Sequence, residues 1–244
     1  MAERESLARR LALVAAPGGA RASVRWVVRR LSGIDAHSVL ARSLTGAAER
    51  QLGAWSAEQL VVVTEDNIDG FEPALLGQLD ANNGCRSSDT TASGGRIYAL
   101  RVRDTIACQA RIEFGTSITD SPLPMIIHLG PRNAFLSYLY TGTAHRRTGA
   151  ARALLALVTR HLADERRWDH CVCHVQATNV RSLNAFRSAG FSPIASIWTR
   201  GHRLLHVSQS TAARSLPLAF HLIDPGTPPT RTLDARAGRP SDRI

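Results

Sequence analysis

The sequence predicts a mixed α/β sheet with helices packed on it, and three observations carry that expectation. "RIYALRV" (96–102) and "TIACQARIEFG" (105–115) are strand-like runs on either side of Arg103-Asp104, the pattern of an antiparallel hairpin. From residue 134 the chain alternates strand, helix, strand, helix, strand, the order that builds a mixed α/β sheet. In the first of those helices Ala151, Leu154, Leu155, Val158 and Leu162 fall at i, i+3, i+4, i+7 and i+11, one apolar stripe for burial.

In chain order, residues 1–55 read as a basic helical extension. No acidic residue lies between Ser6 and Ile34, where arginines stand at 9, 10, 21, 25, 29 and 30. Leu7, Leu11 and Val14, then Val24, Val27, Val28 and Leu31, keep helical spacing on either side of Pro17-Gly18-Gly19. A third helix is expected from about Asp35 to Leu52, with Val39, Leu40, Leu44 and Ala48 on one side. Such an extension packs by default on the main domain or on a partner. Contact with an anionic membrane is the disfavoured alternative, and Glu3 and Glu5 argue against an organellar leader.

The main domain is expected over 56–223. "QLVVVT" (59–64) is a strand, and "EDNIDGFEPALLGQL" contains a helix bounded at Pro73. Residues 80–95, "DANNGCRSSDTTASGG", read as a polar loop. In the second hairpin strand Ile106, Cys108, Ala110, Ile112 and Phe114 should share one face, and Gln109, Arg111 and Glu113 the other. The stretch 116–133 reads as a loop long enough to face a substrate. "AFLSYLYT" (134–141) and "CVCHVQA" (171–177) are strands, "NVRSLNAFRSAGF" is a short helix stopped by Gly190, and "PIASIWT" and "RLLHVSQ" supply late strands. The Pro-, Gly- and Arg-rich residues 224–244 read as a disordered tail.

Composition excludes more than it selects. No uninterrupted apolar run approaches the roughly 18 residues of a membrane helix. The net charge is +10 and every basic residue except histidine is arginine, a bias that fits a GC-rich coding sequence. Basic residues are scattered, with no interleaved aromatic array, so no nucleic-acid partner is expected. The four cysteines, 85, 108, 171 and 173, make no disulfide framework and suit a reducing, cytoplasmic setting. "HCVCH" (170–174) resembles a metal motif, but on a strand its cysteines and histidines point to opposite faces, so no metal is expected.

The chemistry-bearing stretch is "YTGTAHRRTGAARALL", residues 140–155. A helix start carries free amide donors and about half a positive charge from the backbone dipole. Gly149, Ala150 and Ala151 remove bulk there, and Arg146 and Arg147 add cationic donors, together a cradle for a phosphate or pyrophosphate. The spacing is neither that of a Walker loop nor that of a Rossmann turn. Further on, Asn179 is followed by Ser182, Phe186, Gly190 and Phe191 at offsets of 3, 7, 11 and 12.

On these two segments residues 134–191 resemble the acyl-CoA-binding core of the GNAT superfamily of N-acetyltransferases. The resemblance extends in weaker form over about 56–207. Arg146 to Ala151 stands where that family has Gln/Arg-x-x-Gly-x-Gly/Ala, and Asn179 to Phe191 resembles its Asn-x-x-Ser/Ala…Tyr…Gly-Phe segment. The resemblance implies a mixed, mostly antiparallel sheet flanked by helices, a GNAT-like acyl-CoA N-acyltransferase fold. It implies acetyl-CoA as co-substrate, without a metal, and a small-molecule or peptide amine as acceptor.

Within that resemblance the strands at 134–141 and 171–176 would splay apart around the pantetheine arm. Leu139, Tyr140 and Thr141 would pair with the arm as an added strand does. Arg146, Arg147, Thr148, Gly149, Ala150 and Ala151 would hold the pyrophosphate, and Asn179 would bond the arm from the other wall or cap its helix. The acyl group would pass by direct attack of an amine. Glu113 is the first candidate for the base, ahead of His174 and His128. The family's usual acid, a tyrosine, is Phe186 here, which leaves Tyr138, Tyr140 or solvent to protonate the thiolate. A GNAT-like module that binds CoA or a partner without efficient turnover is the alternative.

Overall fold

The computed structural model describes residues 31–45, 54–82, 85–119, 125–201, 203–211, 216 and 219–222. In chain order its elements are β1 (Ile34–Ser43), β2 (Leu60–Val63), α1 (Pro73–Ala81), α2 (Ser87–Ala92), β3 (Arg96–Val102), β4 (Thr105–Phe114) and β5 (Thr116–Thr119). There follow β6 (Met125–His128), β7 (Asn133–Thr141), α3 (Ala150–Asp164), β8 (His170–Gln176), α4 (Val180–Ser188), β9 (Ser192–Arg200), β10 (Arg203–Gln209) and β11 (Ala219–Leu222). Eight strands form one sheet in the order β10-β9-β1-β8-β7-β4-β3-β2, and β11-β6-β5 form a second. Every neighbouring pair is antiparallel except β7 and β8. That is the mixed, mostly antiparallel sheet the sequence predicts.

Alternation of side chains sorts the core into two faces. Tyr98, Leu100, Cys108, Ala110, Ile112, Ala134, Leu136, Cys171 and Cys173 meet Leu154, Leu155, Val158 and Leu162 of α3. The buried side of α3 is broader than the expected stripe, since Ala150, Ala153 and Leu157 join it while Ala151 is only half-buried. On the opposite face Ile97 and Ala99 lie under Leu75 and Leu79 of α1, and Val39, Phe135, Val172 and Ile197 lie under Met125 and Ile127 of β6. Pro73 opens α1, as a proline with a preset φ does at a first helical position. Gly190, at φ 91°, closes α4, with the Phe191 amide reaching back to the Phe186 carbonyl at 3.0 Å.

Four expectations are corrected. Residues 34–43 are a strand, where a helix was expected from Asp35. β1 lies between β8 and β9, is buried on both faces over Val39 to Arg42, and so shows no two-residue alternation for a sequence reading to detect. Arg42 ties it down by donating to the Thr159 hydroxyl (2.7 Å) and the Ala189 carbonyl (2.9 Å). The polar stretch 80–95 contains α2, which the Asp80 carboxylate anchors by accepting from the Ser87 amide (2.6 Å) and hydroxyl (2.5 Å). The supposed loop 116–133 supplies β5 and β6. Finally, a register shift at Leu100/Arg101 turns Ile106 toward α1, while Ala107 and Cys108 both face α3. Ile106 therefore does not share a face with Cys108. The helices expected over Leu7 to Val28, the later part of the third one and the tail from Asp224 lie outside the described residues.

Candidate active site

β7 and β8 pair in parallel at Asn133↔His170, Ala134↔Cys171, Phe135↔Val172 and Leu136↔Cys173, and there the pairing ends. β7 continues to Thr141 against β4 alone. The divergence coincides with a bulge: Arg111 faces Ser137 while Gln109 faces Tyr140, so β7 carries one extra residue, and Tyr138 sits at φ 49°. Beyond Leu136, among the described residues, no strand pairs with β7 on its β8 side. The backbone of Leu139, Tyr140 and Thr141 thus borders a gap between two strands.

At the far end of β7 the chain passes through Thr143–His145 into α3. Gly149 is the residue that starts the helix, at φ 86° and ψ 2°. A Cβ there would meet nothing within 4 Å, so the place is open, but the left-handed φ favours glycine. The first backbone bond into the helix runs from the Ala153 amide to the Gly149 carbonyl, at 3.0 Å. The amides ahead of it have no acceptor within the helix. Ala150 turns its methyl into the core, and Arg147 (φ 68°) and Thr148 are exposed. Arg146 is exposed and folds back so that its Nε approaches the Thr141 carbonyl at 3.5 Å. The six residues 146–151 thus form one corner beside the end of β7.

Asn179 caps α4, its side-chain oxygen accepting from the Ser182 amide at 3.2 Å. Phe186 is 3% exposed and packs edge-on against Phe191 at 5.1 Å. It is a core residue with no proton to give.

Glu113 and Tyr138 lie on β4 and β7, the strand pair on the side of β7 away from β8. Arg111, 7% exposed, reaches Glu113 Oε1 with Nη2 at 2.7 Å and Nε at 2.9 Å. It also touches Ser137 Oγ (3.1 Å), Cys85 Sγ (2.8 Å) and the face of the Tyr138 ring (4.5 Å). Ser137 Oγ donates to the same Glu113 oxygen at 3.0 Å. Burial is the largest single influence and works to lower the Arg111 pKa, but the charge and hydrogen bond of Glu113 together with Cys85 and Tyr138 outweigh it, and the guanidinium stays above its ordinary value. Sequence reasoning placed Arg111 and Glu113 on one face but missed that Arg111 joins β4, the bulge in β7 and the chain between α1 and α2. That contact depends on register, which a single sequence does not carry.

The remaining candidate bases are less suited. His174 stacks on His37 of β1 (4.7 Å between ring centres), and desolvation, with His37 adding to it, lowers its pKa to about 3. His128 lies on β6 at the register of Thr116 and Ala219, in the second sheet. Cys171 and Cys173 face α3, with Val172 on the opposite face. Burial raises Cys171 to about 12 and Cys108 to about 11, and pushes Cys173 well up, so these thiols stay protonated.

The architecture is that of a mixed α/β domain with one parallel strand pair splayed in front of a glycine-initiated helix. Residues 94–191 match the model of the acetyltransferase (GNAT) family, and across this stretch, from the start of β3 to just past α4, the chain carries a GNAT acetyltransferase domain. Among solved structures it is similar to a GNAT-family protein from Novosphingobium aromaticivorans, at 17% identity and TM-score 0.46, over 73% of this chain and 66% of that one. It is also similar to a GNAT-family acetyltransferase from Colwellia psychrerythraea, at 16% identity and TM-score 0.43, over 66% of this chain and 53% of that one. A third, a GCN5-related N-acetyltransferase from Kribbella flavida, aligns at 13% identity and TM-score 0.43 over 74% of this chain and 61% of its own. The chain thus spans between about half and two thirds of these three proteins. Among curated proteins, none matches the sequence.

Proposed function

We propose that this protein transfers an acetyl or other short acyl group from acetyl-CoA to the amine of a small molecule or peptide. The observation that carries the reading is the end of β7–β8 pairing at Leu136, which opens a gap leading to the helix start at Gly149. An extended arm needs a strand edge to pair with, and a diphosphate needs free amides, and here one follows the other along the chain.

In this reading the backbone of Leu139, Tyr140 and Thr141 bonds the pantetheine arm, and an amide of that stretch polarises the thioester carbonyl. The amides of Thr148 to Ala151 hold the diphosphate while Arg146 and Arg147 screen its charge, and Asn179, whose oxygen serves the helix, offers its amide nitrogen to the arm. A neutral amine attacks the carbonyl carbon, a C–N bond forms, and the C–S bond breaks to release CoA. Glu113 receives the amine's proton and Tyr138 protonates the sulfur. No metal takes part, and three deeply buried free thiols suit a reducing compartment such as the cytoplasm.

A second reading, a module that binds CoA with little turnover, is favoured by two observations. Phe186 is locked in the core where the family's acid stands, and Glu113 is already held by Arg111. Calorimetric titration with acetyl-CoA followed by CoA-release assays over a panel of amines separates the two. Binding with turnover supports transfer, binding without turnover supports the module, and no binding refutes both.

A further inference from the structure

We infer that Trp55, which lies outside the matched family segment, is a positioning residue that sets the direction of the Gly149 amide in the diphosphate cradle; this rests on the reading of that corner given above. The indole Nε1–H of Trp55 donates to the Thr148 carbonyl at 3.2 Å. Its ring is 9% exposed, belongs to the core under α3, and stands edge-on to His145 at 6.2 Å. The Thr148 hydroxyl in turn donates to the His145 carbonyl at 2.7 Å.

The consequence follows from peptide geometry. In a planar trans peptide the carbonyl of residue 148 and the N–H of residue 149 point in opposite directions. Holding the Thr148 oxygen against a buried indole therefore turns the Gly149 N–H away from the core, toward the open side of the loop. The restraint is needed because this peptide is flanked by a glycine at φ 86° and lies one residue after Arg147 at φ 68°. A glycine allows the peptide to flip at small steric cost. Flipped, it would present an oxygen to an anion where it should present a nitrogen, and one donor would become a repulsive dipole. Trp55 keeps the amide in its binding orientation before the ligand arrives.

The test uses the full chain with Trp55→Phe, which keeps an aromatic ring in the core and removes the donor, and Gly149→Glu as the control on the cradle itself. CoA and pantetheine, which lacks the diphosphate, are each titrated by calorimetry. The expected result is a loss of about tenfold in CoA affinity, the size of one hydrogen bond, with pantetheine affinity unchanged. A second measurement does not depend on how well the variant folds. The wild-type Trp55 indole N–H resonance, assigned by its loss in Trp55→Phe, should move on adding CoA and stay in place on adding pantetheine. Equal weakening of both ligands, or an indole signal indifferent to CoA, overturns the inference. Unchanged CoA affinity in Trp55→Phe alongside its loss in Gly149→Glu overturns it and leaves the cradle standing. Unchanged affinity in both variants removes the cradle as well.

Discussion

The two ends of β7's divergent half, the helix start it leads to and the bulge where it begins, are built on different principles. At the start of α3 the chemistry lies in bare backbone: a left-handed glycine, small neighbours and amides with no acceptor inside the helix. On the β4 side of β7, at its bulge, side chains have already closed on one another. Arg111 spends its donors on Glu113, Ser137 and Cys85 and covers the Tyr138 ring. An open backbone corner is ready for a ligand without prior rearrangement. A closed ion-pair network fixes shape first, and must share or release a bond to take part in proton transfer.

The largest effect should come from breaking the open corner. Gly149→Glu places a carboxylate beside the free amides and forces a φ of 86° on a residue with a Cβ. CoA affinity should fall by about a hundredfold or more, equivalent to roughly 3 kcal/mol. Gly149→Ala sharpens the point. Its methyl would meet nothing within 4 Å, so the cost is confined to the left-handed backbone, about 1 kcal/mol. Calorimetry on both variants separates obstruction of a ligand from strain in the chain; equal losses would point to strain alone.

Breaking the closed network should show in stability before binding. Arg111→Leu leaves the half-buried Glu113 carboxylate without its cation and costs about 2–3 kcal/mol of folding free energy, discounted for the part of Glu113 that meets water. Urea unfolding measures it. CoA affinity should change little, because the contacts of Arg111 are with Glu113, Ser137, Cys85 and Tyr138 and not with the helix start. A variant as stable as the wild type would show that the network contributes no net stability.

Which parts of this were legible in the sequence follows from the same contrast. Gly149 and its small neighbours could be read because a helix start needs few residues and its donors are backbone, present whatever the side chains. The alternation of Cys171 and Cys173 against their neighbours could be read because strand periodicity is local. The β1 strand could not, since its run Val39 to Arg42, buried on both faces, carries no period of two, and its place between β8 and β9 is decided by partners more than 100 residues away. The Arg111 network and the Trp55 bond were equally hidden. One depends on a register broken by a bulge, and the other joins residues 93 positions apart.

β1 also makes the fold acid-sensitive in a way that can be isolated. His174, stacked on His37, titrates at about 3 in the folded chain and near its ordinary 6.5 when unfolded. The folded pKa is the lower one, so below pH 6.5 the unfolded chain binds a proton that the folded chain refuses. Stability then falls by about 1.4 kcal/mol per pH unit until the folded group titrates, roughly 2 kcal/mol between pH 6.5 and 5. Other titratable groups of the chain change with pH as well. The informative quantity is therefore the wild type minus His174→Phe, measured by urea unfolding at pH 7 and pH 5. A difference that does not change with pH would refute the assignment.

The smallest expected effect concerns Arg146. Its guanidinium is exposed, and among the described residues it makes a long 3.5 Å approach to the Thr141 carbonyl. A solvated cation gives up little of its attraction to water, so Arg146→Ala should weaken CoA by about 1 kcal/mol, near the low end for charge-assisted bonds, and the loss should shrink as salt is added. The loss from Gly149→Glu should persist at high salt, because much of it is obstruction and strain rather than screened charge. Calorimetry of both variants at about 0.05 M and 0.5 M salt reads the difference. Were the Arg146 loss independent of salt and comparable to that of Gly149→Glu, the diphosphate would be held mainly by side chains, and backbone amides would not be the principal donors of this corner.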